Sequence, residues 1–486
     1  MKREKAGNSL NEVPLVVSQT YSTENNSDNL QLSFFQDSQI PSALRPITRP
    51  IHYLGSKLRL LNRICDVIDQ ADPSSGTICD LFAGSGTVSR VLSKKRVVVA
   101  VDIQEYSRVI CSALLHPAQS NSRTVKEFLS EVSSSEHSSL LSWVFEPLKE
   151  FERHCFSVAR TGDLEPLCDL LENGSLRAFE LDACHPKSPD LTAAMKEAHS
   201  RLCDAQLINT PSSLVSRYFG GIYFAYSQAS HLDVLLEGVA GLPSYQRDTF
   251  LAAVLSTASE IVNTVGKQFA QPIRPRNSNG RPKAELLELA SRDRSTKVMD
   301  TYQSWLRRYL IIPRTNKPHM IIREDYREAL KKLKGKVSIV YADPPYTRDH
   351  YSRYYHVLET MCLRDNPEIS TVNLHNGDSL SRGLYRVDRH QSPFCIHSKA
   401  PQAFASLFVG VRSLNVPLVL SYSPYEISNG SRPRLMTIIQ VEALAKSYFR
   451  HVRVCKPEHI AHSKLTNSEK TVSTSHEAEV LFVCEP

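Results

Sequence analysis

The tetrapeptide Asp343-Pro344-Pro345-Tyr346 closes an apolar run at residues 337–342. A run of that length ending in an acid and two prolines reads as a buried parallel strand that stops abruptly. The carboxyl ends of such strands are where open α/β sheets keep their chemistry. The prolines fix φ and remove two backbone donors, so the segment is a rigid elbow presenting one carboxylate, unpaired carbonyls and one aromatic ring. That set suits a planar amino group. The carboxylate and a carbonyl each accept one hydrogen of an -NH2 while the ring stacks on the attached heterocycle. A plain surface turn has the same composition, so the elbow gains weight only from a second motif.

The second motif is Asp80-Leu81-Phe82-Ala83-Gly84-Ser85-Gly86. An apolar strand at 77–82 runs into a turn with two glycines and then a helical pattern at 87–92, the arrangement of a Rossmann-like nucleotide site. The glycines admit a ligand close to the backbone, and a helix N-terminus offers N-H groups to a carboxylate. No Walker lysine follows and the G-x-G-x-x-G spacing is absent, which favours a small zwitterion over a phosphate. The next strand, 97–101, ends at Asp102. That acid either accepts both hydroxyls of a ribose or caps a helix at 107–115.

Read in order, Tyr53-Leu54-Gly55-Ser56-Lys57, the Phe82 to Gly86 turn, Glu324-Asp325-Tyr326 and Asp343-Pro344-Pro345-Tyr346 resemble the Dam-like alpha group of DNA adenine-N6 methyltransferases. The resemblance covers residues 48–110 and 250–486. The continuation Tyr354-Tyr355-His356-Val357-Leu358-Glu359-Thr360 is similar to a helix of the subset related to type IIS modification enzymes. The first motif departs from the Dam form, which has a tryptophan and paired glycines.

The resemblance implies S-adenosyl-L-methionine as cofactor. Tyr53, Gly55, Ser56 and Lys57 would hold its methionine end, Phe82, Gly84 and Gly86 its centre, and Asp102 its ribose, with Asp80 in the same set. Asp325, beside Tyr326, would accept from the cofactor's adenine amino group; the alternative is a capping acid for a helix at 326–333. Asp343 and the Pro344 carbonyl would accept both protons of the target amino group, with Pro345 completing the elbow and Tyr346 stacking on a flipped base. Asp343 also borders the cofactor. Arg348, His350 and Tyr351 would touch the flipped nucleotide or its phosphate. Residues 263–266 and Phe269 resemble a segment kept beside the catalytic cleft. His356 packs rather than acts.

Around these motifs the 486 residues, 41% of them hydrophobic, are enough for two or three domains. No run of about eighteen apolar residues exists and the start lacks an apolar segment, so neither a membrane span nor a secretory signal is expected and the location reads as cytoplasmic. Eleven scattered cysteines without a C-x-x-C pair imply reduced thiols and no metal. The net charge of +7 is unevenly placed: residues 267–317 carry twelve Lys and Arg against four acids, a surplus of +8. Within that stretch Arg274, Arg276, Arg281 and Lys283 sit in a Gly/Pro-broken loop fitted to phosphates, or simply to solvent.

The expected fold class is α/β, a Rossmann-like class I methyltransferase sheet, mostly parallel with a closing antiparallel strand, carrying an inserted, mainly helical DNA-recognition domain. The divisions are a disordered arm at 1–44, a catalytic domain at 45–115 and 318–486, and a helical insert at 116–317 with its basic loop at 267–317. Helical spacing shows at 125–132, 140–151 and 250–262. The aromatic stretch 218–224 is either a base-contacting wedge or core. Core strands are expected at 319–323, 416–423 and 479–483, with Tyr422 and Ser423 facing the base or packed. The implied activity is methylation of adenine N6 in double-stranded DNA, with a restriction or defence-system subunit as a further partner. The same elbow serves RNA or a protein side chain as the alternative substrate, and a silent nucleic-acid-binding relic is the third reading.

Overall fold

The computed structural model describes residues 49–374, 377–423, 434–455 and 479–486. The expected arm at 1–44 lies outside them. The described residues all fall in one compact unit.

Seven strands make the central sheet: β1 (Ile78–Leu81), β2 (Val98–Asp102), β3 (Met320–Arg323), β4 (Ile339–Ala342), β7 (Leu418–Tyr422), β8 (His451–Cys455) and β9 (Val480–Glu485). A separate hairpin, β5 (Thr371–Leu374) and β6 (Gly377–Leu380), had no counterpart in the sequence reading. The sheet order is β3-β2-β1-β4-β7-β9-β8. The first five of these run parallel, and β9 is antiparallel to both β7 and β8. This is the mostly parallel sheet with an antiparallel closure expected of a methyltransferase fold. Every residue of β1, β4 and β7 is buried, which is why these strands read as mainly apolar instead of alternating, with Asp80 in β1 and Ser421 in β7 as polar exceptions.

Strand order reverses between β1 and β4, and a sheet of this kind opens its crevice at that point. Leu81 pairs in register with Ala342, so Phe82 and Asp343 leave the sheet side by side. The Asp343 N-H donates to the Leu81 carbonyl at 3.3 Å and fixes the elbow at its root.

No strand is formed between Asp102 and Met320; that stretch is helical. The helices are longer than the apolar stripes that announced them: Ser122–Ser133, Glu136–Arg160 and Ser244–Ile261. Polar caps set the first two starts, with Asn121 accepting from the Thr124 N-H and Ser135 from the Ser138 N-H. Tyr218, Phe219, Tyr223 and Phe224 are all buried, so the aromatic stretch is core and not a wedge for bases. These helices share one apolar core with Tyr106 and Val109 of helix Glu105–Leu115 and with Val357, Leu358 and Met361 of helix His356–Leu363.

The backbone of Phe269 joins the two halves. Its N-H donates to the Tyr354 carbonyl at 2.9 Å, and its carbonyl accepts from Tyr223 Oη at 2.8 Å and His356 Nε2 at 3.2 Å. His356 is fully buried and burial pushes its imidazole down to about 3, so it is a neutral packing group.

Glu359 performs a second tie. Its two oxygens accept the N-H groups of Glu105 and Tyr106, both at 3.0 Å, and so cap the helix that follows β2. Replacing Glu359 with Ala strands two N-H donors where water hardly reaches; we expect a loss of roughly 2–4 kcal/mol in urea unfolding, with Gln recovering part of it.

Candidate active site

At the elbow, Asp343 points its two oxygens to different places. Oδ2 lies 2.8 Å from Lys57 Nζ. Oδ1 is buried and has no hydrogen-bond partner. An orphaned acceptor on a half-buried carboxylate at the sheet's crevice is the polar atom of this chain most plainly in want of a donor.

Lys57 comes from the segment before the first helix of the sheet domain. Three tyrosine contacts hold that segment against the elbow: Leu54 N-H to Tyr355 Oη at 2.7 Å, Tyr351 Oη to the Leu54 carbonyl at 3.1 Å, and Tyr355 Oη to the His52 carbonyl at 3.2 Å. The Tyr53 ring stacks on Tyr355 at 5.0 Å. Lys57 Nζ then donates to Asp343, to Glu479 Oε1 at 3.0 Å and to the Gly55 carbonyl at 3.2 Å. Glu479 is filled on both oxygens, since Oε1 also accepts from Tyr346 Oη at 3.1 Å and Oε2 from Ser421 Oγ at 2.7 Å.

One ammonium thus faces two carboxylates in a space where Lys57 is 5% and Glu479 6% exposed. Burial works against the ammonium, but Asp343 and Glu479 outweigh it and hold Lys57 well above its usual value. For Asp343, burial pushes the carboxyl up to about 7; Lys57 pulls it down and Glu479 adds to the rise. Asp343 therefore sits between its two protonation states near neutrality.

A partly open cleft of about 790 Å³ lies between the elbow and β2. Of the residues expected to hold a cofactor, Tyr53, Phe82, Asp102, Asp325, Tyr326 and Asp343 line it. Phe82 has a φ of 68°, an uncommon conformation for an aromatic residue, and its ring meets Phe394 edge-on at 5.4 Å and Tyr326 at 5.5 Å. The other expected residues lie behind the wall. Asp80 is buried in β1 and accepts from Ser89 Oγ; burial pushes it up to about 6. Gly84 does not offer its N-H to the cleft, because Asp102 Oδ2 accepts it at 2.9 Å. A Cβ on Gly84, at φ +55°, would fall 2.4 Å from Tyr53 Oη, and one on Gly86 would strike Leu114 and Cys111, so these glycines serve backbone conformation and close packing. Gly55, at φ +74°, sits against Tyr351 Oη, and the Ser56 hydroxyl is buried without a partner. Lys57 grips the elbow from behind.

Asp102 lines the cleft, and its Oδ1 accepts the Gln104 N-H just ahead of the helix Glu105–Leu115, whose N-cap is Gln104. Asp325 is likewise a cleft residue and an N-cap, accepting from the Arg327 N-H at 3.0 Å. Tyr346 packs its edge on Tyr422 at 5.4 Å, and the Arg434 guanidinium lies 4.8 Å from the Tyr346 ring centre. Pro344 is buried and Pro345 borders the cleft. Tyr422 is core, and Ser423 accepts from Arg434 at 2.7 Å.

The residues expected at the nucleic acid separate. Arg274, Arg281 and Arg348 are exposed, Lys283 and His350 half-buried. Arg276 is engaged by Glu165 at 2.7 Å and Glu172 at 3.1 Å. Tyr351 turns to the cleft. Part of the basic surplus at 267–317 is met by acids from outside that stretch, Arg294 by Glu152 and Arg276 by Glu165 and Glu172.

Sequence reasoning missed Glu479, Glu359, His390, Phe394 and Arg434. Glu479 was legible in principle. It immediately precedes an antiparallel strand, so it comes out at the same edge of the sheet as the carboxyl ends of β4 and β7.

The charge count gives a stability prediction. A carboxyl raised in the fold contributes stability that is complete below its unfolded value near 4 and lost as pH rises through about 7. Asp343→Asn leaves one ammonium and one carboxylate. It should be more stable than the parent at pH 8, by about 1–3 kcal/mol, with the advantage vanishing by pH 4; chemical denaturation at both pH values checks this.

Residues 53–142 and 288–410 match the model of the D12 class N6 adenine-specific DNA methyltransferase family. Modification methylase LlaI of Lactococcus lactis subsp. lactis is 24% identical over 387 residues, covering 78% of this chain and 47% of that protein. The chain therefore spans about half the length of the curated relative it matches. The matched segments contain Lys57, the Gly84 turn, Asp102, Asp325 and the Asp343 elbow, so the similarity to the D12 class of N6 adenine-specific DNA methyltransferases falls on the residues that build the site.

Proposed function

We propose that this chain transfers a methyl group from S-adenosyl-L-methionine to the N6 amino group of an adenine flipped out of duplex DNA. The observation that carries the reading is the division of labour on Asp343: Oδ2 belongs to Lys57 and buried Oδ1 waits for a donor at the crevice.

The cleft lining fits the cofactor by donor type. Phe82, Tyr326 and Phe394 supply apolar ring surface for its heterocycle, Asp325 an acceptor for the exocyclic amino group, and Asp102 an acceptor for vicinal hydroxyls. Its sulfonium supplies an electrophilic methyl group. Everything else falls on the chain. An adenine amino lone pair is delocalised into the ring, so Asp343 Oδ1 and the Pro344 carbonyl accept its two N-H groups and hold the nitrogen in line for attack. After transfer the nitrogen gives up a proton, and a carboxyl near neutrality is a suitable acceptor. Lys57 and Glu479 keep Asp343 and Tyr346 in one geometry. A base stacked on Tyr346 displaces the Arg434 guanidinium from that ring.

The order of motifs supports placing the chain with the Dam-like alpha group, and the helix at 356–363 with the subset related to type IIS modification enzymes. Similarity to a modification methylase supports a role in modification beside a restriction partner.

The test is incubation with labelled S-adenosylmethionine and unmethylated genomic DNA, followed by nucleoside mass spectrometry. N6-methyladenine in DNA is expected, and label confined to RNA or protein would overturn the reading. Asp343→Ala should lower transfer by at least about a thousandfold with cofactor affinity within a few-fold of the parent. Gly84→Val should instead lose the cofactor, because its side chain meets the Tyr53 ring that lines the cleft.

A further inference from the structure

Beside the elbow, four arginines from separate parts of the chain converge where no carboxylate neutralises them. Arg353 follows the elbow directly, Arg382 and Arg389 lie in the segment after the β5/β6 hairpin, and Arg274 in the loop after Phe269. The Arg353 and Arg389 guanidinium groups lie 4.9 and 5.1 Å from the centre of the Tyr385 ring, and Arg353 Nε donates to Tyr385 Oη at 2.9 Å. Arg382 Nη2 donates to the Ile273 carbonyl at 2.7 Å, next to Arg274.

Their remaining contacts are neutral: Arg389 with the Arg386 carbonyl, Arg274 with Gln271. Among the described residues none of the four is in an ion pair. The nearby acids are already engaged, Glu172 by Arg276 and Asp365 and Asp388 by Arg386. Like charge is felt across the group. Burial and then Arg274 lower Arg382, burial and then Arg353 lower Arg389, and the imidazole of His350 is lowered by burial and by Arg389.

The patch is also in the right place. Ser352 and His390, the chain neighbours of Arg353 and Arg389, line the cleft, and Ser352 Oγ donates to the His390 carbonyl at 2.5 Å. Cations left unpaired at a cleft mouth are costly to the fold alone and suit a polyanion.

We propose that Arg274, Arg353, Arg382 and Arg389 are the seat for the phosphate backbone of the DNA beside the target adenine. This rests on the reading of the chain as a DNA methyltransferase. It moves the phosphate contacts from the loop at 276–283 to a surface built around Tyr385, and it excludes Arg276.

The test uses the full chain and a fluorescent random-sequence duplex, with affinity followed by anisotropy from about 50 to 200 mM salt. Arg353 is left in place because its Nε also donates to Tyr385 Oη. The triple variant Arg274→Gln, Arg382→Gln, Arg389→Gln should lower the slope of log affinity against log salt by roughly 2–3, about 0.9 per lost contact, and weaken binding about tenfold or more at the middle of that range. Its affinity for S-adenosylmethionine should match the parent's, which a misfolded variant could not achieve. Arg276→Gln should leave the slope unchanged. An unchanged slope in the triple variant, or an equal fall in Arg276→Gln, overturns the patch while leaving the methyltransferase reading intact. A parent that binds no duplex at any salt overturns both.

Discussion

The site depends on one buried ammonium shared by two carboxylates. Lys57 reaches Asp343 and Glu479 at 2.8 and 3.0 Å from a segment almost three hundred residues upstream of the elbow. A buried ion pair returns little net stability, and here an unmatched second acid makes the arrangement worse for the fold. Its gain is positional. With Oδ2 tied down, the Asp343 carboxylate cannot rotate, so Oδ1 stays aimed at one point; with Oε1 shared, Glu479 fixes the Tyr346 hydroxyl to the same ammonium. The acceptor and the stacking ring become parts of one rigid body.

The sheet makes that convergence possible. Asp343 ends β4, Ser421 lies in β7 and Glu479 opens β9, three neighbouring strands whose relevant ends meet at one edge because β9 runs against the others. Lys57 is brought in by tyrosines instead of by the sheet. Tyr351 and Tyr355 lie on the helices after the elbow and bond the backbone of 52–54, so the elbow recruits its own lysine. Leu54 and His52 are bound through backbone atoms, which leaves no side-chain signature in the sequence.

That distinction also explains what could be read in advance. The parallel strands were legible because double-sided burial writes a mainly apolar run, and the helix at Thr87–Leu92 was bracketed by glycine and a loss of apolar period. Asp343 and Asp102 were legible because each stands at a strand's end. The contacts of Gly84 and Lys57 inside the fold were not: a glycine packed against a tyrosine ring and a lysine held between two carboxylates leave no mark in the local sequence. The engagement of Arg276 was hidden for a similar reason. Charge along the chain says nothing of partners distant in sequence, and Glu165 and Glu172, which engage Arg276, lie about a hundred residues away. The patch around Tyr385 was invisible because its arginines come from three segments.

The helical half then does more than hang beside the sheet. Within six residues, Phe269 bonds the helices of the elbow through its backbone, Ala270 accepts from Tyr385 Oη, and Ile273 accepts from Arg382. Arg274 follows at once. The same short stretch therefore braces the catalytic elbow from behind and supports the arginine surface in front. Its backbone is engaged at both ends: Phe269 bonds Tyr354 and His356, and the His356 ring meets Tyr385 edge-on at 5.1 Å. An elbow so supported is held from two sides, by Lys57 at Asp343 Oδ2 and by the Phe269 backbone at Tyr354 and His356.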